Sequence, residues 1–134
     1  MRLVLPEAGE HLVVLPLRPR VESPRTPNAA VTASWQAEAL AHGLGDGATA
    51  TATARAAAMS AVGWPVTVVD AMTTGGERRL YVFYTLLEYR CAVYARGPGD
   101  EAEYAAARPA LLAVLLGGRP DWTADDEYVS VCQP

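Results

Sequence analysis

The sequence contains no lysine and no isoleucine, and it has only two cysteines, two histidines and one phenylalanine. Its 11 basic residues are therefore all arginine, and 15 acidic residues outnumber them, which gives a formal net charge of -4. Phosphate binding needs a concentrated basic face. This charge balance therefore argues against a nucleic-acid partner.

Long apolar runs are also missing from the chain. No stretch reaches the roughly 20 uninterrupted apolar residues of a membrane span, so we expect no stable membrane insertion. The first residues do not have the pattern of a signal peptide, because Glu7, Glu10 and His11 interrupt their apolar character. We therefore expect a cytoplasmic protein.

Motifs for metals, cofactors and phosphate are absent as well. Cys91 lies in a predicted strand and Cys132 lies near the C-terminus, without the spacing of a metal site or a redox pair. We expect free thiols, although a bridge stays open if the last strand lies beside the Cys91 strand. The glycine-rich run 43–47 lacks the lysine and Ser/Thr of a P-loop and follows a helix, which indicates a helix C-cap. We expect no cofactor and no metal.

No catalytic constellation can be assembled from the sequence. None of the four serines lies in a nucleophile elbow. Cys91 with His42 is the one nucleophilic pair worth testing, yet a cysteine in mid-strand is usually a small core residue. Asp70 and Glu88 lie near strand ends and are candidates for paired carboxylates, but nothing in the sequence determines their separation. A small enzyme is therefore the last of the functions we consider, with no catalytic residues assigned.

The length and composition predict one globular domain, residues 1–134. Hydrophobic residues make up 51% of the 134 residues, enough to form a core without metals or disulfides. The segments 1–7 and 11–17 are rich in leucine and valine and are separated by turn residues, which predicts a hairpin. The prolines that follow predict an irregular connection over 18–28.

A first helix is predicted to begin near Thr32 or Ser34 and to end before Gly43, with Trp35, Ala39 and Leu40 on one side. The next segment, 48–58, has two interpretations. Its alternating alanine and threonine favours a strand through Thr53, whereas the alanines of 54–58 favour a helix.

The second half of the chain is easier to interpret. A valine-rich strand is predicted over Val66–Met72, followed by a turn and an antiparallel pair, Arg79–Leu87 and Tyr89–Arg96. The first strand of that pair is apolar on both faces, which predicts a central position in the sheet. Asp100 is predicted to cap a second helix. The residues expected to pack that helix on the sheet are Tyr104, Arg108, Leu111, Leu112 and Leu115, with Pro109 inside the pattern.

The end of the chain combines acidic and β-favouring residues. We expect an acidic loop over Asp121–Glu127 and a short strand over Tyr128–Cys132. The acidic residues do not follow the spacing of a calcium loop, so we expect them to be solvated.

Aromatic residues are concentrated in the strands of the second half. If helices leave one sheet face uncovered, these residues line an exposed apolar surface of the kind that binds partners. Arginine is also enriched at interfaces and would supply polar contacts at the rim. The predicted partner-binding residues are Trp64, Tyr81, Phe83, Tyr84, Tyr94, Arg79 and Arg90.

The order of segments from Gly63-Trp64-Pro65 onward resembles the PsbP/DcrB-like family. The resemblance includes the long hairpin, Glu103-Tyr104, Arg108-Pro109 and the run from Arg119 to Trp122, and it covers roughly half of the chain. It implies an α/β/α sandwich on an antiparallel sheet and a non-enzymatic accessory role. One bacterial branch, the Eag chaperones, forms dimers that shield transmembrane helices of type VI secretion effectors.

We therefore expect an α+β domain with an antiparallel sheet of about five or six strands and two helices packed on it. The favoured function is that of an accessory, adaptor or chaperone-like protein. It would bind a protein partner, such as a secreted effector, through its aromatic sheet face and would form a homodimer. The alternative is an immunity or inhibitor protein that binds a toxin through an acidic surface made of Asp121, Asp125, Asp126 and Glu127.

Overall fold

The computed structural model describes residues 2–5, 12–17, 29–42, 47–86 and 89–121. In chain order these residues form β1 (Arg2–Val4), β2 (Leu12–Leu17), α1 (Ala29–His42), β3 (Ala50–Met59), β4 (Pro65–Thr73), β5 (Arg78–Leu86), β6 (Tyr89–Arg96), α2 (Glu101–Leu116) and β7 (Arg119–Asp121). The main sheet is antiparallel, with the order β2-β6-β5-β4-β3, and β1 pairs with β7 separately. The predicted α+β class, with an open antiparallel sheet and two helices, is confirmed.

Four long strands, β3 to β6, make up the body of the sheet, and the shorter β2 pairs with the outer side of β6. Valine and aromatic residues are frequent in β4 to β6, and such side chains fit a pleated, buried surface. β5 lies between β4 and β6, which confirms the prediction that this strand is central. The turn before β5 contains Gly76 with a φ of 85°, a conformation that glycine adopts without steric cost.

The sheet separates two hydrophobic cores, because successive side chains of a strand point to opposite faces. Helix α1 covers one face and α2 covers the other, so the layers are helix, sheet, helix. The α1 core consists of Trp35, Ala39, Leu40, Ala50, Val69, Ala71, Tyr81, Phe83, Ala92 and Tyr94. The α2 core consists of Leu3, Leu5, Val66, Val68, Leu80, Val82, Tyr84, Cys91, Val93, Ala95, Tyr104 and Leu115.

Helix α2 begins and ends with specific hydrogen bonds. The Asp100 side chain accepts a hydrogen bond of 3.0 Å from the Glu103 backbone N–H, which confirms the predicted cap. At the other end, the buried Tyr84 hydroxyl donates to the Leu115 carbonyl and accepts from the Gly118 N–H. Tyr84 therefore joins the centre of the sheet to the end of the helix and provides a donor for the Leu115 carbonyl, in the last turn of α2, where carbonyls lack intrahelical partners.

The N-terminal part of the chain differs from the sequence prediction. β1 pairs with β7 and β2 pairs with β6, so the predicted hairpin between the first two segments is wrong. Each strand finds its partner far away in the chain, which local turn residues cannot indicate. Helix α1 also begins earlier than predicted, at Ala29, although its buried residues and its end at His42 agree with the prediction.

The uncertain segment after α1 is a strand. β3 extends from Ala50 to Met59 and includes the alanines that favoured a helix, so pairing with β4 overrides their intrinsic preference. Asp121, the first residue of the predicted acidic loop, is instead the last residue of β7 and pairs with Arg2. The rest of that loop, the predicted irregular connection over 18–28 and the predicted strand Tyr128–Cys132 lie outside the described residues.

A candidate interaction edge

The side chains predicted to bind a partner are mostly inside the domain. Tyr81, Phe83, Tyr84 and Tyr94 are at most 1% exposed, and Arg79 is 2% exposed. Trp64 is half-buried against the α2 core. Arg90 lies in β6 opposite Thr85, and its side chain is outside the described part of the structure.

That prediction required a sheet face that no helix covers. Helices cover the sheet at these positions. The aromatic rings pack on both sides of the sheet because residues of β5 alternate between the two cores. Phe83, for example, contacts Trp35 of α1 edge to face, with 5.3 Å between the ring centroids. The expectation of an exposed aromatic face at Tyr81, Phe83, Tyr84 and Tyr94 is therefore corrected: helices cover them.

The buried Arg79 has a structural explanation. Its guanidinium lies 4.8 Å from the centroid of the Tyr94 ring, and its Nε donates to Glu77 Oε1 at 2.5 Å. The same carboxylate is 3.7 Å from Arg96 Nε. A buried cation needs a partner of this kind. Arg79 therefore packs with its neighbours instead of forming the rim of an interface.

A second charged cluster connects α2 to the sheet. Arg108 donates two hydrogen bonds to the Asp70 carboxylate, at 2.8 and 2.9 Å, and the Tyr104 hydroxyl donates a third at 2.6 Å. Burial raises the pKa of Asp70, but these hydrogen bonds and the Arg108 charge outweigh it, so the pKa lies below its ordinary value of 3.8. Asp70 is therefore an ionised structural partner of α2.

The pairs considered for catalysis do not form in the described part of the chain. Cys91 is fully buried in the α2 core, whereas α1, which carries His42, packs on the opposite face of the sheet. Burial raises the pKa of the Cys91 thiol to about 12, so it stays protonated at neutral pH. Asp70 is occupied by Arg108 and Tyr104, and Glu88 lies outside the described residues.

Among the described residues, neither a cavity nor a cluster of metal-ligand side chains indicates a ligand-binding site. An open depression of about 470 Å³ is lined by Glu77, Arg96, Gly97 and Pro98, and its two charged side chains have opposite signs. The described ranges contain no group of three or more histidine, cysteine, aspartate or glutamate side chains that could hold a metal ion.

The feature without a structural explanation is the edge of the sheet at β3. This strand is ten residues long and is last in the strand order, so one of its sides has no paired strand among the described residues. Residues 51–57 are exposed, as is Met59. In an antiparallel ladder about half of the backbone N–H and C=O groups then point away from the sheet.

Natural proteins usually protect such an edge with charged side chains, proline, a β-bulge or a short strand. β3 contains no lysine or proline, Arg55 is its one charged residue, and its register shift lies in its first half. The register shifts between Ala52 and Ala54, where the Thr53 hydroxyl bonds to the Asp70 carbonyl at 3.2 Å. Beyond this bulge, the ladder from Ala54 to Met59 is regular. We call these six residues the docking stretch.

The other edge of the sheet is different. β2 contains Pro16, which has no backbone N–H, so that position cannot donate to an added strand. Exposed apolar side chains also mark the end of β3: Met59 is 58% exposed and Val62, in the following turn, is 48% exposed. The β3 edge is therefore the better docking surface of the two.

Comparison of the chain with known protein families, curated proteins and solved structures found no match. Neither helix in the described part of the chain is long and apolar enough to cross a membrane.

Sequence reasoning missed the docking stretch, although a signal was present. The docking stretch consists of four alanines, Arg55 and Met59, so it offers only one large apolar side chain to the two cores. Such a composition is typical of a strand that lies outside both cores, at an edge of the sheet.

Proposed function

We propose that the protein is a non-enzymatic accessory, adaptor or chaperone-like protein of the cytoplasm. It binds another protein by adding an extended segment of that partner to β3. The observation that carries this proposal is the long, exposed and nearly uncharged edge of β3. Strand addition is an established mode of peptide recognition, in which backbone hydrogen bonds supply much of the affinity.

The rigidity of the edge supports the proposal. β3 is paired with β4 at every residue except Thr53 in the bulge, and β4 contributes buried side chains to both cores. The docking stretch is therefore held in the extended conformation before a partner arrives, which reduces the entropy lost on binding. The partner alone must become ordered.

The resemblance to the PsbP/DcrB-like family suggests one class of partner. If the chain acts as the Eag chaperones do, the partner is a secreted effector of a bacterial type VI system, and the chaperone is a homodimer. The binding surface would nevertheless be the sheet edge, because the aromatic face first considered for it is covered by helices.

The experiment uses two adjacent proline substitutions, Ala56→Pro and Ala57→Pro. Neighbouring residues of a strand direct their N–H groups to opposite sides, so one proline breaks the ladder with β4 and the other removes only an outward donor. Thermal unfolding distinguishes the two variants, because the variant that has lost only an outward donor keeps the unfolding midpoint of the parent. We call this the edge-blocked variant.

The parent and the edge-blocked variant are immobilised and exposed to an extract of the cells that produce the protein. A protein retained by the parent alone is then purified and titrated against both forms by calorimetry. We expect binding to the parent, little binding to the edge-blocked variant, and slower amide hydrogen exchange in Ala50–Met59 of the complex. Equal binding to both forms, without protection of β3, would contradict the proposal.

A further inference from the structure

Resting on the proposed function, we infer that the segment bound at β3 belongs to another protein and carries an aspartate or glutamate that pairs with Arg55. The partner is therefore an extended segment whose acidic residue lies beside Arg55 when the segment pairs with β3. Charge complementarity at the docking stretch selects this occupant.

Arg55 is held in place by a neutral network. Its guanidinium donates to Gln36 Oε1 at 2.5 Å, and Gln36 Nε2 donates to the Thr67 hydroxyl at 3.0 Å. Gln36 is only 4% exposed, so the network is anchored between α1 and β4. Arg55 itself is exposed and contacts no carboxylate among the described residues.

Gln36 holds one guanidinium nitrogen on the α1 side of the sheet, and Arg55 stays exposed beside the free edge, within reach of an added strand. Arginine has five N–H donors in a planar fork that suits a carboxylate, and one guanidinium nitrogen donates to Gln36. Arg55 lies opposite Val69 of the α1 core, so its side chain is on the α1 side of the sheet. Cross-strand neighbours have Cβ atoms about 5 Å apart, so an acidic side chain on that side of an added strand can reach it.

The opposite side of the docking stretch is lined by small residues. Ala54, Ala56 and Ala58 lie on the α2 side, since Ala54 is opposite Asp70 and Ala58 packs against the α2 core. Methyl groups leave room for larger apolar side chains on the added strand. We therefore expect the bound segment to alternate an acidic residue on one side with large apolar residues on the other.

A second copy of the chain fits this description less well. β3 of another copy offers alanine, threonine, methionine and a second arginine, and it has no carboxylate to pair with Arg55. Pairing of two β3 strands would satisfy the backbone and leave both arginines without a counter-charge. The charge therefore disfavours a β3 strand of a second copy as the occupant of this edge.

The test is a selection from a displayed library of random peptides about twelve residues long, enough to include a typical strand. The full-length parent is the bait, and peptides that also bind the edge-blocked variant are removed. The selection is repeated with Arg55→Gln and with Arg55→Glu, after circular dichroism shows that both variants are folded. The molar mass of each bait is measured by light scattering at the concentration used.

We expect peptides from the parent to be enriched in aspartate or glutamate at one position between apolar residues. Replacing that acid by its amide should weaken binding to the parent about twofold to fivefold, the range for a cross-strand ion pair. Arg55→Gln should remove the acidic preference, and Arg55→Glu should replace it with a preference for arginine or lysine.

Three other outcomes would overturn the inference, and they differ in what they mean for the proposed function. Peptides that need the β3 edge but show no acidic preference would refute the pairing with Arg55 and leave strand addition standing. A dimeric parent that the edge-blocking substitution converts to a monomer would identify a second copy as the occupant. A selection without any peptide that depends on the edge would refute both proposals.

Discussion

At the scale of single residues, Asp70 shows how a polar cluster positions a helix. It lies on the α2 side of β4 and receives hydrogen bonds from two residues of α2, Tyr104 and Arg108. The α2 core contributes apolar contacts that have little direction, whereas these bonds determine the position of the helix along the strand. The cluster also makes stability depend on pH, because its carboxylate must be ionised.

We predict that Asp70→Asn lowers the free energy of unfolding at neutral pH by about 1–2 kcal/mol, a value reduced for the partial exposure of Arg108. Because the folded-state pKa of Asp70 lies below 3.8, the parent has this stabilisation above that pH and loses it as the pH falls through the folded-state pKa. Urea unfolding at neutral pH and below pH 3.8 measures the difference between the two proteins, which should narrow in acid.

Tyr104→Phe is the matched control for this prediction. It removes one hydrogen bond from Asp70 and keeps the ion pair with Arg108. Its loss of stability should therefore be smaller than that of Asp70→Asn. An Asp70→Asn protein whose stability deficit is the same at both pH values would show that the ionised carboxylate contributes nothing.

At the scale of elements, α2 and β3 show opposite relations between sequence and structure. The cap and the helical spacing of α2 are local signals, and the structure agrees with the cap and buries Tyr104 and Leu115 of that pattern. The alanines of β3 favour a helix locally, yet hydrogen bonding to β4 makes them a strand. Local signals are reliable where the element satisfies its own backbone, and they fail where a distant strand does so.

Pro109 provides a prediction at this scale. It lies inside an uninterrupted α2, where it cannot donate the hydrogen bond to Ala105 that the helix would otherwise contain. Pro109 is exposed, so Pro109→Ala should leave both cores unchanged and raise the free energy of unfolding by about 1–3 kcal/mol. Thermal and urea unfolding measure the gain.

Ala113→Gly, at another exposed position of α2, is the control for Pro109→Ala. It should lower stability by about 1 kcal/mol, which would establish that helix propensity in α2 affects global unfolding. If Ala113→Gly lowers the free energy of unfolding as expected and Pro109→Ala does not raise it, Pro109 does not destabilise this helix.

At the scale of the whole molecule, the two cores share one sheet. Leu80 and Phe83 are close in β5, yet Leu80 enters the α2 core and Phe83 enters the α1 core. Both are at most 1% exposed. Loss of either core removes the packing that keeps β5 in place for the other, so the domain should unfold as one cooperative unit.

We predict that Leu80→Ala and Phe83→Ala each shift a single unfolding transition. The expected losses are about 2–5 kcal/mol for the leucine and about 3–5 kcal/mol for the phenylalanine, the usual range for cavities in a core. Urea titrations followed by tryptophan fluorescence and by far-ultraviolet circular dichroism should coincide for each variant. Two separate transitions in either variant would show that the cores are independent.

The candidate site was harder to predict than the fold. The strands β4 to β6 and helix α2 follow from local patterns, and a strand apolar on both faces must be central. Whether Tyr81 and Phe83 are accessible depends on where α1 packs, and no pattern within β5 contains that information. The sequence therefore predicts an exposed aromatic face, whereas in the structure these aromatic side chains belong to the two cores.

The sequence by itself determined the α+β class, the central hairpin and the capped second helix, because these depend on periodicity, turns and caps within short stretches. The tertiary structure decided which strands pair over long distances, that both sheet faces are covered, and that β3 lies at an edge. These features depend on contacts between residues far apart in the chain, whose free energies are realised only when the whole domain assembles.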